Sequence, residues 1–275
     1  MKDSFESFKD ADINQWVINF RGYYKNDAIQ YIKDRLGEKL ISFQLESKEG
    51  WFFDSRQLIK EIKSDYIFFW IEDHICTCGA QQFNAVISEM KRLNVDYLGY
   101  SWFGMGLFLN QFRSLNGTEG KSLKLYNYTK KFNQLRQENS LTEIGVKSYY
   151  ISVCGVFKRD LFNKIINSSH PFLRRWPKQT PFDFEKRWDD TYFLPLQYGV
   201  LKFEMFVPID DNNVYPDSSL ISRGLYPERF TREEMVNIRE GKANSNTFFG
   251  LRYFFRKFLI FKIFYLFLKR ISYHL

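Results

Sequence analysis

Glu72, Asp73 and His74 place two carboxylates and an imidazole at consecutive positions. Carboxylate oxygens are ligands for hard divalent cations, and an imidazole suits Mn2+ better than Mg2+. A cation held there can in turn hold phosphate oxygens, with Asp73, His74 or both as direct ligands. A polar turn, which acidic residues populate freely, accounts for the same three residues without any metal. A second acidic pair, Asp189-Asp190, stands before Tyr192, Phe193 and Leu196. A carboxylate there can take the proton from an attacking hydroxyl. On residue type alone, the plainer role for an aspartate in this place is a helix N-cap. Glu185 is a weaker candidate base, because Lys186 and Arg187 beside it favour a solvated ion pair.

The elements that position these groups are read from hydrophobic patterning. Residues 66–71, Tyr-Ile-Phe-Phe-Trp-Ile, form an unbroken apolar and aromatic run that leads into Glu72. Such a run predicts a strand buried on both faces, as in the middle of a parallel sheet. In open α/β sheets the ligand crevice lies beyond the carboxyl ends of such strands. Upstream, Ile13, Trp16, Val17, Ile18 and Phe20 predict a first strand, ending at Asn19-Phe20-Arg21-Gly22. Asn26 can cap a helix with Ala28, Ile29, Ile32 and Leu36 on one face, stopped by Gly37. Residues 40–45 predict a second strand, ending in Glu46-Ser47, and Asp54 opens a further helix with Gln57 in a capping-box-like place. Phe83, Val86, Ile87, Met90 and Leu93 sit at helical spacing before a strand at 95–101. This alternation predicts a mainly parallel sheet with helices on its faces. Beyond it, Gly104, Gly106, Gly117 and Gly120 mark irregular chain, the polar stretch 122–138 reads as helix, 147–153 as strand and 158–166 as a short helix.

Of 275 residues 44% are hydrophobic and 19% aromatic, enough to bury a core. The net charge of +8 is not spread over the chain: residues 251–275 hold six of the 40 basic residues and none of the acidic ones, leaving the body at +2. A nearly neutral body excludes the broad footprint of a nucleic-acid binder. Cys76, Cys78 and Cys154, odd in number and without framework spacing, fit a reducing compartment. His74-Ile75-Cys76-Thr77-Cys78 lacks the second ligand pair of a zinc site. The first residues are polar and carry no signal-peptide core. The charge-free runs in residues 248–275 are too short to span a bilayer, which takes about 20 apolar residues. On a helical projection five of the six basic residues fall in one arc, Lys257 being the outlier. That pattern predicts a basic amphipathic helix lying on anionic lipid. A partner-binding or dimer helix is the rival, disfavoured because so many exposed Phe side chains would promote aggregation.

Taken together, four stretches resemble the GT-A class of nucleotide-sugar glycosyltransferases, most closely glycosyltransferase family 2. Val17-Ile18-Asn19-Phe20-Arg21 is similar to the first strand and its nucleotide-contacting loop, and Phe43-Gln44-Leu45-Glu46-Ser47 to the second strand with its terminal acid. Ser64-Asp65-Tyr66 through Glu72-Asp73-His74 resembles the strand ending in the metal-binding Asp-x-Asp element. The segment from Val153-Cys154-Gly155-Val156-Phe157-Lys158-Arg159-Asp160 through Phe182-Asp183-Phe184-Glu185 and Trp188-Asp189-Asp190 to Gly199 resembles the acceptor side, which carries the catalytic base. The chain departs from the pattern where His74 replaces the last aspartate and where the base pair reads Asp-Asp rather than Glu-Asp.

The resemblance implies an α/β, GT-A-like fold with a mainly parallel sheet flanked by helices, to which the tail's residue pattern adds a C-terminal amphipathic helix. Residues 1–245 would form the catalytic domain, with a donor half at about 13–101 and an acceptor half at about 102–245, and residues 246–275 a membrane-association tail. It implies a hexosyltransferase that moves a sugar from a nucleotide-sugar to a glycan or lipid-linked acceptor, inverting and dependent on Mn2+ or Mg2+. Asn19, Arg21 and Glu46 would contact the donor; Glu72, Asp73 and His74 would hold the metal; Asp190, with Asp189 as alternate, would be the base. Arg223 sits where a loop could close over a diphosphate, and Trp102-Phe103 could wall an acceptor sugar. The expected setting is bacterial surface polysaccharide synthesis, in the cytoplasm, peripheral on the inner face of the cell membrane through residues 248–275. A nucleotidyltransferase is the alternative, but Asn19-Phe20-Arg21-Gly22 is not the Gly-rich phosphate loop it needs. A non-catalytic membrane scaffold is the other.

Overall fold

The computed structural model of the chain describes residues 1–99, 109–139, 155–168, 193–209 and 219–226. The chain divides into two compact units, Met1–Leu225 and Tyr226–Leu275, and the described elements belong to the first. In chain order they are α1 (Lys2–Phe8), β1 (Trp16–Asn19), α2 (Lys25–Leu36), β2 (Leu40–Phe43), α3 (Trp51–Leu58), β3 (Tyr66–Phe69), β4 (His74–Cys76) and α4 (Gly79–Arg92). There follow β5 (Tyr97–Gly99), β6 (Thr118–Glu119), β7 (Leu123–Tyr128), α5 (Lys130–Asn139), β8 (Gly155–Lys158), α6 (Arg159–Asn167), β9 (Leu196–Leu201) and β10 (Phe206–Pro208). The architecture is mixed α/β, with a six-stranded sheet in the order β3-β8-β5-β9-β7-β6, helices flanking it, and two smaller pairs, β1-β2 and β4-β10. Among the described residues no helix is long and apolar enough to cross a membrane.

Strand direction is where the sheet departs from expectation. β1 with β2 and β5 with β9 are parallel, but the other described pairings are antiparallel, so the sheet is mixed rather than mainly parallel. The strand-helix alternation that forces parallel crossovers ends at β5. Beyond it a tight hairpin joins β6 to β7, and β8 enters between β3 and β5 running against both.

β3 is shorter than the apolar run because the chain turns at Ile71, and its pairing neighbour β8 is antiparallel. Packing nonetheless covers both of its faces. Phe68 meets Phe8, Phe83 and Phe206 on one side, and Phe69 meets Trp51 and Phe162 on the other. The Tyr66 hydroxyl donates to the carbonyl of Val95 at 2.9 Å, and burial pushes its pKa up to about 12.

Local signals explain most helix ends. Gly37, at φ +53°, ends α2 as expected, but the residue before that helix is Tyr24, and Asn26 lies inside it. α3 starts after Gly50, whose φ of +97° suits only glycine, so Asp54 is a buried first-turn residue and not the cap. The stretch read as helix from 122 opens instead with a strand: Leu123-Lys124-Leu125-Tyr126-Asn127-Tyr128 pairs along its whole length with β9, and the helix begins only at Lys130. Six residues of strand register against a central neighbour outweigh a polar average. The predicted strand at 147–153, Trp102-Phe103 and residues 248–275 lie outside the described residues.

Glu89 pins the β6–β7 hairpin to α4. Its buried carboxylate accepts the backbone N–H of Lys121 at 2.6 Å and of Ser122 at 2.7 Å. Gly120 lies so close that a Cβ there would stand 2.3 Å from Glu89 Oε1. Glu89→Ala leaves two N–H groups without their charged acceptor and is expected to lower unfolding free energy by roughly 2–4 kcal/mol, with Glu89→Gln in between. Urea denaturation checks this, and a change under about 0.5 kcal/mol, the size of an ordinary surface substitution, would show that the carboxylate does not hold the hairpin.

Candidate functional site at the acidic turn

β3 leaves the sheet at Trp70, and the chain reverses through a turn closed by the His74 N–H on the Ile71 carbonyl at 3.2 Å. It re-enters as β4, antiparallel to β10, with the Ile209 N–H donating to the Asp73 carbonyl at 2.7 Å. Glu72 and Asp73 occupy the exposed tip of this turn. His74 is only 3% exposed, and its Nδ1 lies 2.6 Å from Asp73 Oδ1. Across this short contact an imidazole Nδ1–H can donate to the carboxylate. The structure thus brings Asp73 and His74 together, with the imidazole behind the carboxylate and Glu72 exposed on the same turn.

Among the described residues no group of three His, Cys, Asp or Glu side chains converges to hold a metal ion. Glu72 and Asp73 are the two carboxylates the turn exposes, and a hard cation, which takes about six oxygens, would need phosphate oxygens and water to complete its set.

The carboxyl ends of β1 and β2 are knotted together by two of the predicted donor contacts. Asn19 Oδ1 accepts the Leu45 N–H at 2.7 Å, and its Nδ2 donates to the Leu45 carbonyl at 3.1 Å. Arg21 Nε donates to the same carbonyl at 3.1 Å, and its guanidinium pairs with the buried Asp54 of α3. Asn19 is therefore engaged with backbone, whereas Arg21 and Glu46 remain exposed beside the knot. Tyr23 and Tyr24 follow Gly22 on the same loop, 93% and 71% exposed, their rings edge to face at 5.0 Å. Sequence reasoning passed over this pair, although two tyrosines directly after the end of a first strand were its visible signal.

Arg223 is not a loose loop cation: Glu204 binds its guanidinium through two contacts, at 2.7 and 2.9 Å, both side chains being largely buried. Asp189, Asp190 and Glu185 lie outside the described residues.

No protein-family model matches the chain, and no curated protein sequence matches it. Among solved structures it is similar to the 1–349 fragment of TarS from S. aureus, at a TM-score of 0.45 and 12% identity over 74% of this chain and 55% of that one. The same fragment in complex with UDP gives a TM-score of 0.45 and 13% identity over the same shares. The chain spans about half the length of the solved structures it resembles, at 55%. A likeness this loose carries no weight for the site.

Two residues past His74, β4 ends in a dithiol. Cys76 is buried, Cys78 precedes the first turn of α4, and their sulfurs lie 3.8 Å apart without a disulfide. The Cys78 thiol hydrogen-bonds the Cys76 sulfur and holds its pKa down at about 7, while Cys78 is pushed up in turn. Peptide-resolved alkylation with iodoacetamide is expected to show Cys76 reactivity rising through pH 7 in the native chain. In Cys78→Ala the rise should shift to at least the ordinary thiol value of about 8.5. An unchanged inflection in that variant would rule out the thiol pair as the cause.

Proposed function

We propose that the chain is a glycosyltransferase of GT-A-like fold that moves a sugar from a nucleotide-sugar donor to a glycan or lipid-linked acceptor, with inversion at the anomeric carbon. The observation that carries this reading is the acidic turn, where two exposed carboxylates stand at the end of β3 and one is steadied by a buried imidazole. Beside the carboxyl ends of the parallel pair β1–β2, Arg21, Glu46, Tyr23 and Tyr24 offer what a nucleoside diphosphate requires. A guanidinium binds phosphate, a carboxylate accepts from ribose hydroxyls, and flat rings take a base.

Glu72 and Asp73 would hold a divalent cation, Mn2+ or Mg2+, which would supply Lewis-acid neutralisation of a leaving diphosphate. His74 fixes the direction of the Asp73 carboxylate, and Asp54 fixes Arg21 against the donor. Asp190, or Asp189 in its place, takes the proton from the acceptor hydroxyl, and alignment of the two substrates lowers much of the barrier. Residues 248–275 dock the enzyme on anionic lipid at the inner face of the cell membrane, where lipid-linked precursors of bacterial surface polysaccharides would be its acceptors.

A thermal-shift panel of nucleoside diphosphates and nucleotide sugars, with and without Mn2+, tests the reading. One nucleotide family should stabilise the chain, by about 2.7 kcal/mol at a hundredfold excess over Kd, and only with metal. Asp73→Asn should abolish that gain. Asp190→Asn should keep it while losing transfer by roughly 10²–10⁴-fold. No response to any nucleotide would overturn the proposal.

A further inference from the structure

We propose that α1, which precedes the first strand and lies outside every sheet, belongs to the donor site, and that Ser4 is a positioning residue that staples the two limbs of the acidic turn. This rests on the glycosyltransferase reading for its functional consequence, but its structural basis is independent. Ser4 is fully buried. Its Oγ accepts the indole N–H of Trp70, the last residue before the turn, at 2.9 Å, and donates to the carbonyl of His74, the first residue after it. One hydroxyl thus bridges both ends of the segment that carries Glu72 and Asp73.

Ser7 repeats the arrangement one helical turn on. Its Oγ accepts the Cys76 N–H at 2.9 Å and donates to the Ser4 carbonyl at 2.7 Å. The register explains why serines stand here. In an antiparallel pair alternate residues face the partner strand. Asp73 and Thr77 bond to Ile209 and Met205 on the β10 side, so the peptide groups of His74 and Cys76 face away from β10. Pro208, which has no N–H, sits opposite His74 as this register requires. The free edge of β4 would present unpaired groups. Ser4 and Ser7, three apart on one helix face, cover it, while Phe5 and Phe8 anchor the helix in the core.

Cation ligands work when their supporting shell is locked. Without the staple the two limbs of the turn could separate. Ser4 therefore acts through the turn on the metal-dependent part of donor binding.

The test compares Ser4→Val with Ser4→Thr, which share shape and differ in the hydroxyl. Two quantities are read: hydrogen exchange of the peptide covering residues 70–76, and affinity for nucleoside diphosphates in Mn2+ and in EDTA. Ser4→Thr should match the native chain. Ser4→Val should speed exchange at 71–76 at least tenfold and lose at least tenfold of the Mn2+-dependent affinity, with affinity in EDTA unchanged. Should Ser4→Val fail to fold, Trp70→Phe removes the indole donor, together with part of the ring contact with Trp16, and should shift both readouts in the same direction. Equal behaviour of the Val and Thr variants, or an unaltered exchange rate in Trp70→Phe, overturns the staple. If the native chain binds no nucleotide, the glycosyltransferase reading fails, and exchange still decides whether Ser4 holds the turn. Faster exchange with intact Mn2+-dependent affinity would overturn the positioning role.

Discussion

A strand that leaves its sheet exposes backbone donors and acceptors, and the acidic turn persists because those groups are met from three directions. The turn closes on itself through His74 and Ile71, β10 reaches the Asp73 carbonyl through Ile209, and α1 supplies the hydroxyls of Ser4 and Ser7. Each such group left unmet inside the protein would cost about 1–3 kcal/mol. Glu72 and Asp73 are exposed, so water screens their mutual repulsion, and it is the hydrogen bonding at the base that fixes the backbone of the turn.

Packing connects that base to the rest of the fold through one ring. Phe68 on β3 lies 4.9 Å from Phe8 of α1, 5.2 Å from Phe83 of α4 and 5.4 Å from Phe206 of β10, centroid to centroid. α1 and β10 are the elements that satisfy the turn, and α4 continues the chain after β4. Aromatic contacts of this kind add about 0.5–1.5 kcal/mol each beyond buried area. The abundance of phenylalanine thus has a local meaning here: a strand, two helices and the short antiparallel partner of β4 are clamped around a single side chain.

What could be read without coordinates follows from the range of each signal. Helix faces were legible, since Ile32 in α2 and Phe83, Val86 and Met90 in α4 are buried as their spacing implies. The first strands and the stop at Gly37 were legible for the same reason, being local. Strand direction was not, because β8 enters the sheet between β3 and β5 from distant sequence. Asp54 was misread because a helix-opening aspartate and a buried ion-pair partner look alike until Arg21, 33 residues earlier, is placed beside it. β7 is masked by its surroundings: Leu-Lys-Leu-Tyr-Asn-Tyr carries strand-favouring residues inside a stretch whose average is polar. The acidic turn itself was visible as residues, but the inward turn of His74 was not, since nothing in three adjacent polar letters says which one the core will take.

On the proposed reading, that inward turn bears on why position 74 is a histidine where the Asp-x-Asp pattern that the sequence resembles has its final aspartate. Position 74 opens β4 and is buried, held between the turn and α1. A carboxyl group there would have to carry a charge into the core, at a cost of several kcal/mol unless paired, or take up a proton. An imidazole carries no obligatory charge, and its Nδ1 finds the Asp73 carboxylate directly. On the proposed reading, cation ligation then moves one step towards the amino terminus, onto Glu72 and Asp73, while the third position changes from ligand to support. On that reading two carboxylates stay available for a divalent ion, and the residue that does not reach solvent is the one whose side chain hydrogen-bonds inside the protein.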